Sequence, residues 1–170
     1  IAGSGATTGT ADLYSDGYVI NGEWKYATGA LHATVFTANC VIRANGIPES
    51  DEYGKPQVKS FLFFKHEVHV NTNWNALGMI ATGSHTFKVC DLPIPSSRAF
   101  VIDGAHAILP GSVYQYPFLQ LAEATLAVNI SGMAQQFLDL LKPLLEERTR
   151  EDQNARTHLL TVHEKAEVCL

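Results

Sequence analysis

Up to about residue 112 the chain is a succession of short stretches in which apolar and polar residues alternate. Beyond that point apolar residues recur every three or four positions. The first pattern predicts strands and the second predicts helices. Residues 17–20 and 23–26 read as two strand arms closed by Asn21-Gly22, because Asn-Gly suits the positive φ of a hairpin turn. Residues 33–43 form a β-rich run with Val35, Thr37, Asn39 and Val41 on one face. Asn45-Gly46-Ile47-Pro48 stops it, and residues 49–55 read as an acidic surface loop or hairpin tip. Residues 60–65, Ser-Phe-Leu-Phe-Phe-Lys, are a core strand. Residues 67–73 alternate, with Val68 and Val70 opposite His69, and residues 75–84, with Gly78 and Gly83, read as a turn-rich connection. Further strands follow at 85–90 and 99–102, separated by a stop at Leu92-Pro93-Ile94-Pro95. Strands at this spacing predict a β-barrel or sandwich of about 100 residues, with both prolines at edges or corners.

The helical pattern runs through Phe118, Leu121, Leu126, Ile130, Met133, Phe137, Leu141 and Leu145. Pro117 suits the first turn, Ser131-Gly132 suggests close packing of another helix, and Pro143 is expected to kink or end this one. A charged stretch at 146–154 precedes a second helix beginning at Asn154 or Ala155, with Leu159, Leu160 and Val162 apolar. Two helices with one apolar stripe each need further helices or a partner subunit to cover them. Residues 1–10, rich in Gly, Ser, Thr and Ala, read as a linker or as a loop whose backbone donors face a ligand. Ile1 opens in mid-pattern and Leu170 closes inside the second helical pattern, so a fragment of a longer protein is expected. The fold class is therefore α+β: a barrel-like or sandwich domain over 1–112, then the start of a helical bundle over 113–170.

A chain of 170 residues with 46% hydrophobic and 17% charged residues has the composition of a globular protein. A net charge of −5 without a basic block argues against a nucleic-acid partner. No run of 18 or more apolar residues predicts a transmembrane helix, and no secretory leader is visible. Cys40, Cys90 and Cys169 are odd in number and widely spaced, which points to reduced thiols in a reducing, cytoplasmic compartment. His66 and His69 would point to opposite faces of a strand, and His158 and His163 lie five apart on a helix, so no metal site is expected. Ser4 has glycines around it but no preceding strand and following helix to make a nucleophile elbow, and Asp51-Glu52 read as solvated loop carboxylates.

The remaining candidate chemistry is a set of aromatic and hydroxyl residues: Trp24, Tyr26, Thr28, Trp74, Thr82 and Ser84. Trp and Tyr in β-proteins are usually core. Here, however, the second strand ends in Ala27-Thr28-Gly29 directly after two aromatics, and such an ending lets a flat molecule approach the backbone beside a hydrogen-bonding group.

The order Asp16-Gly17-Tyr18-Val19-Ile20-Asn21-Gly22-Glu23-Trp24-Lys25-Tyr26-Ala27-Thr28-Gly29 resembles the middle β-domain of the acyl-CoA dehydrogenase superfamily, closest to its flavin-dependent monooxygenase branch. Trp74 through Gly78 to Thr82-Gly83-Ser84 resembles a turn of the same domain. Residues 89–98 resemble the strand and proline corner after it, and residues 117–141 the first helix of the C-terminal bundle. The resemblance implies a flavoprotein using FAD or FMN, which oxidises an acyl thioester by hydride transfer or hydroxylates a substrate with reduced flavin.

By position, the resemblance implies that Tyr26 packs on the flavin ring and that Thr28 hydrogen-bonds near its N5 or O4. Backbone at Ala27 and Gly29 would border the same region, and Ser4 with the Gly3–Gly5 backbone would touch flavin or substrate. It also implies a small-molecule substrate, an acyl thioester or an aromatic compound, and a homo-oligomer assembled through the helical domain. Ile80 stands where the family has arginine, and no catalytic acid or base is named in this chain, which by itself is expected to bind flavin poorly and not to turn over. Two other readings stay open: a catalytically silent scaffold of the same fold, and an unrelated carbohydrate- or lipid-binding β module with a helical oligomerisation tail.

Overall fold

The computed structural model describes residues 1–168 except Glu52, Thr149 and Glu151, and the side chain of Glu167. The chain divides into two compact units, Ile1–Ile102 and Asp103–Leu170. Among the described residues of the first unit, eight strands form one sheet. They are β1 (Ala2–Tyr14), β2 (Gly17–Ala27), β3 (Val35–Ala44), β4 (Ile47–Pro48), β5 (Val58–Phe64), β6 (His69–Asn71), β7 (His85–Pro95) and β8 (Ala99–Phe100). The order across the sheet is β6-β7-β2-β1-β3-β5-β8, with β4 beside β3. β1 and β3 run parallel and the other pairs antiparallel.

The α+β architecture follows the hydrophobic pattern, but the sheet is open, with β6 and β8 as its edges. It nevertheless curls. Phe36 on β3 and Phe87 on β7 are three strand steps apart, roughly 14 Å in a flat sheet, yet their ring centroids are 5.0 Å apart. Trp24 on β2 likewise reaches Phe63 on β5 at 5.9 Å and stacks on Phe87 at 5.2 Å. The concave side is thus an aromatic core of Trp24, Phe36, Phe61, Phe63 and Phe87, all fully buried. The indole is seated between glycines: a Cβ at Gly9 or Gly22 would overlap its ring atoms. Its Nε1–H donates to the Asn39 carbonyl at 3.1 Å, which satisfies the one polar atom of the ring.

Three local readings are corrected. Residues 1–10 are neither linker nor loop, since all but Ile1 belong to β1. Their small side chains let β1 lie flush between β2 and β3, and at Gly3 a Cβ would overlap Thr37. Asn21-Gly22 is not a turn, because β2 runs straight through it. The hairpin closes instead at Ser15-Asp16, where Tyr14 faces Gly17 and Ser15 has a φ of 51°. Asn21 faces a bulge on β7: its side chain donates to Asp91 Oδ1 and accepts from the Asp91 backbone N–H, both at 2.9 Å. Finally, Leu92-Pro93-Ile94-Pro95 continues β7 rather than stopping it. The bulge at Cys90 and Asp91 shifts the alternation, so Phe87 and Val89 point inward before it and Ile94 after it. β6 pairs with β7 only from Thr86 to Lys88, which leaves an outer edge where proline costs no ladder bond.

A one-turn helix at Lys65–Glu67 links β5 to β6. Glu67 accepts from the Phe64 backbone N–H at 2.8 Å and from Arg98 at 2.6 Å, while the guanidinium also lies over the Phe64 ring. Burial alone pushes the Glu67 carboxyl up; the Arg98 hydrogen bond, the Phe64 backbone N–H and nearby cationic groups outweigh it and hold it below the usual carboxylate range. A depressed carboxylate adds stability above its unfolded pKa and loses it as pH falls through the folded one. Glu67→Gln is therefore expected to destabilise the protein at pH 7 and to unfold like the parent at a pH below the folded value. Unfolding midpoints against pH check this, and a pH-independent difference contradicts it.

The second unit holds α1 (Ser112–Gln115), α2 (Phe118–Arg148) and α3 (Gln153–Val168). Asp152 caps α3 through the backbone N–H groups of Asn154 and Ala155. Pro143 does not end α2, which continues to Arg148. The proline removes the N–H that Asp139 O would accept. One residue earlier, the Leu138 carbonyl accepts from buried His163 of α3 at 2.7 Å. His163→Leu is expected to cost about 1 kcal/mol, read as a lower thermal midpoint for loss of helical circular dichroism; an unchanged midpoint contradicts this role. Nothing described in this chain lies within 4 Å of where a Cβ at Gly132 would stand. No helix among the described residues is long and apolar enough to cross a membrane.

Candidate functional site

The end of β2 is shaped by a second bulge. Trp24 pairs with Phe87 and Ala27 with His85, so Lys25 and Tyr26 together face Thr86. Strict alternation would put residues 24, 26 and 28 on one face. The extra residue reverses that phase: Trp24 and Ala27 are fully buried, whereas Tyr26 is 69% exposed and Thr28 is also exposed. Tyr26 takes a φ of 64°, rare for a bulky side chain, and Gly29 follows at 74°. The Gly29 backbone N–H donates to the Thr82 carbonyl at 2.8 Å, fastening the strand end to the segment after Trp74.

That segment supplies the other groups. Trp74 meets Tyr26 edge to face, ring centroids 6.2 Å apart, and its Nε1–H donates to the Met79 carbonyl at 3.1 Å. The Trp74 backbone N–H donates to His85 Nδ1 at 3.0 Å, which fixes the hydrogen of this buried imidazole on Nε2. Thr28 Oγ1 stands 2.9 Å from Ser84 Oγ, which stands 2.8 Å from Thr82 Oγ1, and Thr82 donates to the Met79 carbonyl at 2.8 Å. Ser84 is buried behind exposed Thr28. Met79 and Ile80 on the same segment are 75% and 66% exposed. The result is an open shelf with an aromatic ring, a hydroxyl backed by buried Ser84 and half-buried Thr82, and apolar side chains nearby. This donor set fits a flat ring with apolar faces and polar edge atoms.

Tyr26, Thr28 and Gly29 thus stand together at an open strand end, while Ala27 offers only backbone there because its side chain is core. Ser4 lies apart on β1 opposite Ala38, half-buried, with its Oγ accepting from the Ala6 N–H at 3.4 Å. Among the described residues no hydrogen bond joins it to residues 26–29. His85 is the neighbour that sequence reasoning missed; in sequence it is one of seven histidines with no partner at metal or catalytic spacing. Cys40 is no nucleophile, since burial pushes its thiol up to about 12. Cys169 lies outside the described residues. Among the described residues no group of three or more His, Cys, Asp or Glu is placed to hold a metal ion.

No profile of a known protein family matches the chain. Curated relatives do. Indole-3-acetate monooxygenase from Pseudomonas putida is 29% identical over 138 residues, covering 81% of this chain and 33% of the relative. The flavin-dependent monooxygenase oxygenase subunit HsaA of Mycobacterium tuberculosis (H37Rv) is 30% identical over 142 residues, 79% of this chain and 34% of the relative. The crystal structure of HsaA from that species matches with a TM-score of 0.75 at 24% identity, over 88% of this chain and 39% of that one. XiaF from Streptomyces sp., solved with FADH2 and glycerol, matches with a TM-score of 0.60 at 24% identity, over 87% of this chain and 36% of that one. The chain spans about a third of the length of the curated relatives it matches. Sequence and fold together relate the chain to the oxygenase subunits of flavin-dependent monooxygenases, whose fold is acyl-CoA dehydrogenase-like.

Proposed function

We propose that this chain is the flavin-facing part of a flavin-dependent monooxygenase that hydroxylates a small aromatic compound. The observation that carries the reading is the bulge at Lys25 and Tyr26, which turns Tyr26 and Thr28 out onto an open shelf while Trp24 and Ala27 stay in the core. Hydroxylation is preferred to hydride removal from an acyl thioester because the curated relatives are named as monooxygenases. FAD is preferred to FMN because XiaF, a structural neighbour, was solved with FADH2.

When bound, reduced flavin supplies the electrons with which dioxygen is activated for insertion into the substrate. Tyr26 packs on the ring, and Thr28 meets its polar edge near N5 or O4. Backbone at Ala27 and Gly29 borders the same edge, and Ser4 adds a further polar contact to flavin or substrate. Exposed Met79 and Ile80 exclude water beside the ring. Apolar residues exposed along α2, among them Leu126, Ile130, Met133 and Phe137, pack against further helices or a second copy of the protein, since a helix apolar on so much of its surface is stable when covered. Free Cys90, exposed and unbridged, suits a reducing cytoplasm.

The test is anaerobic titration of the intact protein with reduced FAD, followed by air and an indole-type or phenolic acceptor. Saturable binding and appearance of a hydroxylated product are expected. Failure to bind FAD in either redox state contradicts the reading and favours the silent scaffold.

A further inference from the structure

The hydroxyls behind Thr28 form a chain that ends inward on a carbonyl, and that end favours one direction. A hydroxyl has one hydrogen to donate and two lone pairs to accept with, whereas a carbonyl oxygen only accepts. The Met79 carbonyl, 2.8 Å from Thr82 Oγ1, therefore takes the Thr82 hydrogen. Ser84 Oγ, 2.8 Å from the same Thr82 oxygen, must then donate to it. Thr28, 2.9 Å from Ser84, must in turn donate inward to Ser84. Every hydrogen in the row points inward, and Thr28 is left with only lone pairs for anything on its exposed side. Reversing the row withdraws the Thr82 hydroxyl hydrogen from the Met79 carbonyl, which keeps its bonds from Trp74 Nε1 and from the Thr82 backbone N–H, both at 3.1 Å. Reversal is thus possible, but it loses one hydrogen bond.

We infer that Thr82 and Ser84 are positioning residues that hold the Thr28 hydroxyl as a hydrogen-bond acceptor, and that they make the strand end select reduced over oxidised flavin. The inference rests on the flavin reading above. Reduced flavin carries a hydrogen on N5, which an accepting hydroxyl satisfies. Oxidised flavin has a bare lone pair there, which faces the lone pairs of Thr28 or forces the row to reverse. Polarity, rather than shape, separates the two forms, because the ring outline barely changes between them. Neither Thr82 nor Ser84 needs to touch the flavin to act in this way.

The experiment is anaerobic measurement of the affinity of the intact protein for reduced and for oxidised FAD, with the reduction potential of the bound flavin as a second readout. The parent is expected to favour reduced FAD about tenfold or more. In Thr82→Val the Ser84 hydrogen loses its inner acceptor and turns to Thr28, whose own hydrogen then points outward. The preference should fall about tenfold, lowering the potential by about 30 mV. Thr82→Ser keeps the row and should keep the preference, which separates polarity from a packing fault at that position. Ser84→Ala frees Thr28 to point either way and should give an intermediate ratio. If Thr82→Val binds FAD with the parental ratio and potential, the inference is overturned while the flavin reading stands. If the folded parent binds neither form, the flavin reading falls and the inference with it.

Discussion

Trp24→Ala is expected to lower unfolding stability by about 3–5 kcal/mol, the usual cost of removing a large buried aromatic. The indole is fully buried, and it bridges the curl of the sheet from Phe87 on β7 to Phe63 on β5 and the Asn39 carbonyl on β3. Removing it takes away the ring over which an open sheet folds and leaves a cavity against Gly9 and Gly22. The converse change tests the same seat. Gly9→Ala drives a methyl into the Trp24 ring and the Cys40 sulfur, for about 1–3 kcal/mol. Denaturant unfolding followed by far-ultraviolet circular dichroism measures both. A loss below about 1 kcal/mol for Trp24→Ala contradicts its place as the centre of the core.

Thr28→Val carries the second large effect. Valine has nearly the shape of threonine, and the position is exposed, so stability should change by less than about 1 kcal/mol. The hydroxyl is what is lost. If Thr28 accepts a hydrogen from reduced flavin, its removal costs about 1 kcal/mol of hydrogen bond. That weakens reduced FAD about fivefold and leaves oxidised FAD nearly unchanged. The potential of the bound flavin should move down by about 20 mV. An unchanged potential removes Thr28 from the site.

The order of strands and helices was legible in the chain because each is a local pattern: the alternation of residues 35–44, the apolar run of 60–64, the helical spacing after Pro117. Irregularities were not, because a bulge is decided by what the neighbouring strand does. Asn21-Gly22 has the composition of a hairpin turn, yet Gly22 is small because Trp24 lies over it, and Asn21 is polar because it clamps the Asp91 bulge. Pro93 and Pro95 signal a break by themselves, but they are harmless on an edge that β6 leaves uncovered. The candidate site shows the same division. Tyr26, Thr28 and Gly29 were visible as an aromatic, a hydroxyl and a glycine at a strand end. That Tyr26 and Thr28 face outward while Trp24 faces inward depends on one extra residue opposite Thr86, for which no short motif in the sequence stands. The Thr28–Ser84 contact joins residues 56 positions apart and His85 pairs across the strands with Ala27, so folding alone brings these groups together.

Amide hydrogen exchange reports directly where a flavin sits. Anaerobic addition of reduced FAD to the intact protein is predicted to slow exchange at residues 26–29 and 80–84. The recess of about 290 Å³ between the Ser15-Asp16 hairpin and Pro93–Pro95 should be left unaffected. Protection confined to that recess, or found elsewhere in the sheet with residues 26–29 unchanged, contradicts the account.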